Sequence, residues 1–305
     1  MQIIRRKAAL RALTQSWRRA GETIGVVPTM GALHAGHLSL VEAARAGTDH
    51  VIVTLFVNPR QFNNPEDLAK YPRTEENDAQ KLAPFGIDVL YIPKPEEIYP
   101  DGFATTISVS GVSDGLCGAT RPGHFDGVAT VVTKLLLQTD ADRAYFGEKD
   151  YQQLQVVKRL AADLDLKTEI VGCQTIREDD GLAMSSRNLR LGAGPRETAP
   201  VIAQVLTSAA EDIAWGGNVA QALDTAAKAL CAAGFDSIDY LELRSDPELQ
   251  IMSKADRPGR IFLAAWLDGV RLIDNVSVAR RQEIENSEYE SLELSRDSWS
   301  PRIGA

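Results

Sequence analysis

The segment His50–Val57 (HVIVTLFV) constrains this chain more than any other. It is a continuous run rich in β-branched residues. A strand with one wet face alternates apolar and polar side chains, whereas an unbroken run suits a strand covered by helices on both faces, as in a parallel sheet. The flanking segments agree. Thr23–Val27 (TIGVV) is a short apolar run, His37–Ala46 spaces Leu38, Val41 and Ala44 along one helical face, and Gly47 supplies a stop. Thr74–Ala83 is polar and helical, and Ile87–Ile92 (IDVLYI) is again strand-like. After an irregular, Gly-rich stretch (Ser108–Gly127), Val128–Gln138 reads as a helix and Arg143–Phe146 as a strand. Asp150–Asp163 is a helix with Leu154, Val157 and Leu164 on one side, and Lys167–Cys173 is a strand. Repeated β-α-β order of this kind predicts an α/β fold with a parallel, doubly wound sheet.

The second half changes character. Pro195–Ala214 and Val219–Ala233 are Ala-rich helical segments. Three strand-like runs follow, Ser237–Arg244, Arg260–Leu267 and Val270–Val278, the last two joined by Asp268-Gly269, a hairpin dipeptide. Helices followed by antiparallel strands predict a smaller α+β domain. A length of 305 residues suits two domains at about 150 residues each. The expected division is a Rossmann-like domain over 1–174, a lid-like domain over 175–282, and an acidic, Ser-rich tail over 283–305 that reads as disordered.

Net charge is −9, which argues against a nucleic-acid protein held by a general basic surface, though a local cationic pocket still accommodates an anionic substrate. Cys117, Cys173 and Cys231 are odd in number and widely spaced, as free thiols in a reducing compartment are. The N-terminal MQIIRRKAALRALTQSW has charges breaking every apolar run, so it does not read as a secretory signal. No stretch approaches the roughly 20 apolar residues of a membrane span. The expectation is a cytoplasmic protein without membrane or nucleic-acid partners.

The chemistry concentrates in Pro28–Leu40 (PTMGALHAGHLSL). A strand ends at Val27, a Gly-containing turn follows, and a helix opens near Gly36. A helix N-terminus presents unpaired N–H groups and attracts phosphate. His34 and His37 sit at that point and can donate hydrogen bonds to phosphoryl oxygens. A zinc pair is the alternative, but no Glu or Cys stands at ligand spacing nearby. FVNPRQF (Phe56–Phe62) follows a buried strand where open α/β sheets bind ligands, and equally reads as a turn at Asn58-Pro59. In GEKDYQQL (Gly147–Leu154), Lys149 is a mobile charge suited to polyphosphate, while Asp150 also reads as a helix cap. Met184–Arg187 (MSSR) offers two hydroxyls and an Arg to phosphates, or is a polar linker. Arg121 and His124 lie in RPGHF, where a loop role and anion attraction are both open. Glu75 and Asp78 read as a solvated helix face, with a Mg²⁺ contact the lesser reading.

HAGH resembles the HxGH signature of the nucleotidylyltransferase superfamily. FVNPRQF, YPRT (Tyr71–Thr74), RPGHFDGVATVVTKL (Arg121–Leu135), YFGEKDYQQL (Tyr145–Leu154) and DGLAMSSRN (Asp180–Asn188), in this order, narrow the likeness. Together they resemble the pantothenate synthetase (pantoate–β-alanine ligase) family over about residues 1–280. The resemblance implies that ATP and (R)-pantoate form pantoyl adenylate, which β-alanine converts to pantothenate and AMP, with Mg²⁺ accompanying ATP. It implies that Met30, Gly31, Ala32, Leu33, His34, Ala35, Gly36 and His37 line the ATP site, with His37 the usual proton donor. It places Gly147, Glu148 and Asp150 at the nucleotide, Lys149 on phosphates, and the backbone of Ile176 at adenine. Met184, Ser185, Ser186 and Arg187 correspond to the superfamily's KMSKS-like loop. Gln61 and Gln153 are expected at pantoate, with Asn58 close by, and Gln152 is left to surface or supporting roles. His34, His37, Lys149 and Arg187 are the expected catalytic set, in a homodimer. A nucleotidylyltransferase that releases an adenylylated product shares HxGH but leaves FVNPRQF and GEKDYQQL unaccounted for. A non-catalytic nucleotide-binding regulator is disfavoured by the intact His34, His37, Lys149, Ser185 and Arg187, and a tRNA synthetase by length and acidity.

Overall fold

The computed structural model describes residues 1–63 and 65–279. The chain opens with β1 (Gln2–Ile4), α1 (Lys7–Ala20), β2 (Ile24–Thr29), α2 (Ala35–Gly47) and β3 (His50–Leu55). It continues through α3 (Pro65–Lys70), α4 (Glu75–Leu82), β4 (Val89–Tyr91), α5 (Pro95–Ile98), α6 (Leu116–Thr120), α7 (His124–Thr139), β5 (Arg143–Gly147), α8 (Tyr151–Asp163) and β6 (Glu169–Cys173). The remainder is α9 (Ala193–Thr198), α10 (Val201–Ala214), α11 (Val219–Ala233), β7 (Ser237–Ser245), β8 (Gly259–Leu267) and β9 (Val270–Val278).

The first six strands form a parallel sheet in the order β1-β4-β3-β2-β5-β6. Both of its faces are buried, and successive strand residues divide between them. Val51, Val53 and Leu90 join one core, with Leu40 and Val41 of α2 and Leu82 of α4. Ile52, Val89 and Tyr91 join the other, with Leu10 of α1, Val128 of α7 and Leu154 of α8. This two-faced burial is why the strand sequences carry no polar alternation. The chain builds outward from β2 to β3 and β4 on one side, and returns to build β5 and β6 on the other. The order therefore reverses between β2 and β5, which pair at Gly25↔Arg143 and Val26↔Ala144. Such a switch point leaves a crevice at the carboxyl ends of the two strands.

The second sheet is antiparallel, in the order β7-β8-β9, and packs against α10 and α11 around its own core of Leu206, Leu230, Leu263 and Leu272. The α/β class and the following α+β part with its Asp268-Gly269 hairpin are thus as the sequence patterns indicate. Several boundaries differ. Helix α7 begins one turn before Val128, because Gly123 adopts φ 76° and lets the chain turn into His124. The Pro195–Ala214 segment is two helices, since Pro200, which has no N–H, sits between α9 and α10. Leu164 lies just beyond α8 and is 46% exposed. The first strand and α1 escape sequence patterning because only Leu10 and Thr14 of α1 are buried. The tail expected over 283–305 lies outside the described residues. Among the described residues no helix is long and apolar enough to cross a membrane.

Candidate active site

A cavity of about 250 Å³ opens at the switch point between β2 and β5. His34 and His37 reach it from the start of α2, and Gly147, Lys149 and Asp150 from the turn after β5. His34 is the extended residue that caps α2, with φ −137°. Its N–H donates to Nδ1 of His37 in a long contact of 3.4 Å. A ring nitrogen that accepts carries no hydrogen, so neutral His37 holds its proton on Nε2. The two rings lie 4.1 Å apart between centroids. Gly36 makes this arrangement fit, since a Cβ there would stand 3.0 Å from the His34 ring. Burial, then the charge of Lys149, lowers His34 to about 4. Burial, then the neighbouring His34, lowers His37 to about 3. Both imidazoles are therefore neutral hydrogen-bonding groups at pH 7, and the positive charge comes from Lys149 and Arg187. Asp150 is 51% exposed but crowded by protein on several sides. Burial works to raise its carboxyl, and Lys149 and then Arg187 outweigh that effect, holding it below its ordinary value.

The loop after β2 is pinned from α4. Asp78 accepts hydrogen bonds from the N–H groups of Ala32 (2.9 Å) and Leu33 (2.8 Å) and from the Thr74 hydroxyl (2.9 Å). Lys81 donates to the Leu33 carbonyl at 2.6 Å. Asp78 is completely buried, which corrects its reading as part of a solvated face. Its α4 neighbour Glu75 is part-exposed and pairs with Arg5.

On the opposite wall, a single 3₁₀ turn (Pro59–Gln61) carries Gln61. Asn58, 1% exposed, donates from Nδ2 to Gln61 Oε1 and to the Gly127 carbonyl, both at 3.0 Å, and its Oδ1 accepts from Tyr99 at 2.8 Å. With Oε1 engaged, the NH₂ of Gln61 is the end left to a ligand. The Gln61 carbonyl is clamped in turn by His124 Nδ1 (2.9 Å) and Arg121 Nη2 (3.2 Å). A carbonyl can only accept, so His124 carries its hydrogen on Nδ1, and its Nε2 accepts from Arg121 Nη1 at 3.2 Å. Burial, then Arg121, lowers His124 to about 4, consistent with the neutral form. The floor is apolar. Val128, Val131, Val132 and Leu135 form a stripe along one face of α7, joined by Phe56 from the end of β3. Gln153, in the first turn of α8, lies at the edge of this floor.

The roof is the segment after β6. Arg177 pairs with Ala183 across a short hairpin, and Met184 N–H donates to the Ile176 carbonyl at 3.0 Å. Ile176, Met184, Ser185, Ser186 and Arg187 all face the cavity. The Ser185 hydroxyl accepts from Arg187 N–H at 3.2 Å, capping the turn and keeping its own hydrogen for another partner. Tyr71 hydrogen-bonds Ser186 across the mouth and packs edge-on to Phe62 at 5.5 Å.

A family model for pantoate-beta-alanine ligase matches residues 2–277. The chain belongs to the pantoate–β-alanine ligase family. A pantothenate synthetase of Chelativorans sp. (strain BNC1) is 62% identical over 91% of this chain and 98% of its own length. One from Ruegeria pomeroyi is 60% identical over the same shares. The crystal structure of pantoate-beta-alanine ligase from Thermus thermophilus superposes with a TM-score of 0.86 at 46% identity, over 91% of this chain and 99% of that one. The Francisella tularensis enzyme, solved in complex with beta-gamma ATP and beta-alanine, gives 0.77 at 38% identity, over 90% and 97%.

Of the residues singled out in the sequence, Met30, His34, Gly36, His37, Asn58, Gln61, Gly147, Lys149, Asp150 and Gln153 surround the one cavity, with the five roof residues. Gly31, Ala32, Leu33, Ala35 and Glu148 do not line it. Leu33 is buried at 2% exposure in the core under α2, and Gly31 and Ala32 form the positive-φ turn (85° and 51°) that Asp78 holds. Glu148 turns its carboxylate toward Arg260, 3.8 Å away. Gln152 is not at the surface. It is 6% exposed and binds Cys117 N–H and the Val112 and Gly115 carbonyls, fixing the 112–117 segment. Tyr71, Arg121, His124 and the α7 valines line the cavity without having been assigned to it. Their only advance signal was the helical spacing of the valines, which reads equally as core.

Proposed function

We propose that this chain carries out its family's reaction with the residues gathered around this cavity. It is an ATP-dependent ligase that condenses (R)-pantoate with β-alanine through pantoyl adenylate, releasing pyrophosphate and AMP. The observation that carries the residue assignment is the meeting of a neutral histidine pair, Lys149 and Arg187 on one side with an amide-bearing, apolar-floored wall on the other.

A carboxylate resists attack by an amine, and adenylation turns one of its oxygens into a leaving group. In the first step a pantoate carboxylate oxygen attacks the α-phosphorus of ATP, and pyrophosphate departs. His34 and His37 offer N–H groups to phosphoryl oxygens, and His37, with its hydrogen on Nε2, stabilises the charge that develops there. Lys149, Ser185, Ser186 and Arg187 follow the β- and γ-phosphates as they leave. The backbone of Ile176 and Gly147, with Met30 and Asp150, hold the nucleoside. Gln61 and Gln153 orient pantoate by neutral hydrogen bonds, which leave its carboxylate nucleophilic. The α7 stripe suits its quaternary dimethyl carbon. In the second step the amine of β-alanine bonds to the acyl carbon, loses its proton, and AMP leaves. The apolar floor keeps water from the acyl adenylate.

Among the described residues no group of three or more His, Cys, Asp or Glu side chains could hold a metal ion. Magnesium is accordingly taken as arriving on ATP, as part of that substrate. We take residues 1–174 as the domain that binds ATP and pantoate and residues 175–282 as the lid, a division supported by the end of β6 at Cys173 and by the separate core of the second sheet. A cytoplasmic homodimer belongs to the same reading, and light scattering on the purified chain tests the dimer.

The test is direct. Protein incubated with labelled pyrophosphate, MgATP and (R)-pantoate is expected to exchange label into ATP only when pantoate is present. Adding β-alanine is expected to release AMP and pantothenate. A stable adenylylated product that β-alanine does not consume would refute the ligase reading.

A further inference from the structure

Two loops face the phosphate end of the cavity from different parts of the chain, and one short stretch of β9 holds both. Asn275 is 4% exposed. Its Nδ2 donates to the backbone carbonyls of Glu148 (3.0 Å) and Lys149 (2.9 Å). Its Oδ1 accepts from Nη1 of Arg260 at 2.6 Å, and that guanidinium lies 3.8 Å above the ring of Tyr151. Both ends of the amide are engaged, so its orientation is fixed. The adjacent Asp274 has a side chain only 1% exposed and makes a two-pronged ion pair with Arg177, at 2.7 and 3.0 Å. Its Oδ1 also accepts from the Asn275 N–H at 2.8 Å. Arg177 in turn donates to the Gly181 carbonyl at 3.0 Å and forms the base of the hairpin that ends in Met184–Arg187.

We propose that Asp274 and Asn275 are positioning residues for adenylation. Held on one strand that pairs with β8 along its whole length, they fix the separation between Lys149 and the Ser185–Arg187 segment. This rests on the reading above that those groups receive the polyphosphate. The chemistry of the side chains fits the task. Two converging carbonyls require two donors from one rigid group, which a neutral amide supplies and a carboxylate would repel. A buried Arg–carboxylate fork fixes direction as well as distance. Neither residue lines the main cavity, so neither is catalytic.

Asn275→Asp keeps the shape and inverts the electrostatics, replacing two donors with lone pairs aimed at two carbonyls. In the full chain it is expected to lower the kcat of pantoate-dependent pyrophosphate exchange by ~100-fold, the scale for displacing a contact by about 1 Å. The KM for pantoate is expected to stay unchanged. The second half-reaction, measured by supplying pantoyl adenylate and β-alanine, is also expected to stay unchanged, because its substrate carries no β- or γ-phosphate. Asp274→Asn, which retains size but gives up the charge of the ion pair, is expected to move the same quantity in the same direction and serves if Asn275→Asp fails to fold. Wild-type exchange in the variants, or an equal loss in both half-reactions that tracks a lowered Tm, overturns the proposal. Absence of pantoate-dependent exchange in the unmodified chain would instead overturn the functional reading beneath it.

Discussion

Gly127 is the tightest backbone contact behind the pantoate wall, and Gly127→Ala probes it. A Cβ at this position would lie 2.4 Å from the Arg60 carbonyl oxygen, 2.6 Å from its carbon and 2.8 Å from Gln61 N. All three atoms are backbone, so no side chain can swing aside. Restoring ordinary contact moves the Pro59–Gln61 turn or α7 by about 1 Å. In a helix, Gly→Ala alone gains about 1 kcal/mol from propensity. Overpacking against fixed atoms costs about 1–3 kcal/mol, so the net change is expected to be neutral to destabilising. The functional effect is expected to be larger. The same shift carries Gln61 away and disturbs the Asn58–Gly127 hydrogen bond, and about 1 Å of misplacement is worth ~100-fold in rate. Steady-state kinetics with varied pantoate, alongside thermal unfolding, measures both. Gly194→Ala is the control, since a Cβ there meets nothing within 4 Å. If Gly127→Ala keeps the wild-type kcat/KM for pantoate, the close contact does not position Gln61 and the reasoning fails.

The neutral histidines make a prediction about pH. With His34 at about 4 and His37 at about 3 in the free protein, kcat/KM for ATP is expected to show no acidic limb near pH 6.5. A limb there that disappears in His37→Gln would refute the assignment. His124, at about 4, also links stability to pH. The unfolded chain takes up its proton near pH 6.5 while the folded one refuses it, so stability is expected to fall as pH drops from about 6.5 toward the folded value. The slope is about 1.4 kcal/mol per pH unit for this residue. Denaturant melts of wild type and His124→Gln with identical slopes would contradict this. Asp78→Ala strands the N–H groups of Ala32 and Leu33, at about 1–3 kcal/mol for each buried orphan. A lower Tm and a raised KM for ATP, with the KM for pantoate preserved, are expected; an unchanged Tm would refute the pinning role.

Asp78 also shows where sequence reading ran short. Helical spacing put it beside Glu75 on a polar face, and nothing local distinguishes the two. What separates them is the loop at Gly31–Leu33, far away in sequence, whose N–H groups need an acceptor and find Asp78. Gln152 and Gln153 make the same point. They are adjacent, chemically identical and both on α8, yet one closes a buried loop and the other borders the cavity. The α7 valines were legible as one helical face, but whether that face meets core or an open cavity depends on what stands opposite.

The sequence by itself determined the class of the fold and the chemistry on offer. Strands buried on both faces write themselves as unbroken apolar runs, and the His34, His37, Lys149 and Arg187 groups stand in motifs that follow those runs. Only the tertiary structure decided that these groups meet. Strand order is not encoded locally: β2 and β5 become neighbours after more than a hundred intervening residues, through pairing and helix packing summed over the whole sheet. Their adjacency brings the start of α2 against the Lys149 turn, and the second sheet, through Asp274 and Asn275, fixes the last group in place. Periodicity records which face of an element is dry. Convergence depends on long-range contacts, each set by the direction of a single N–H or carbonyl.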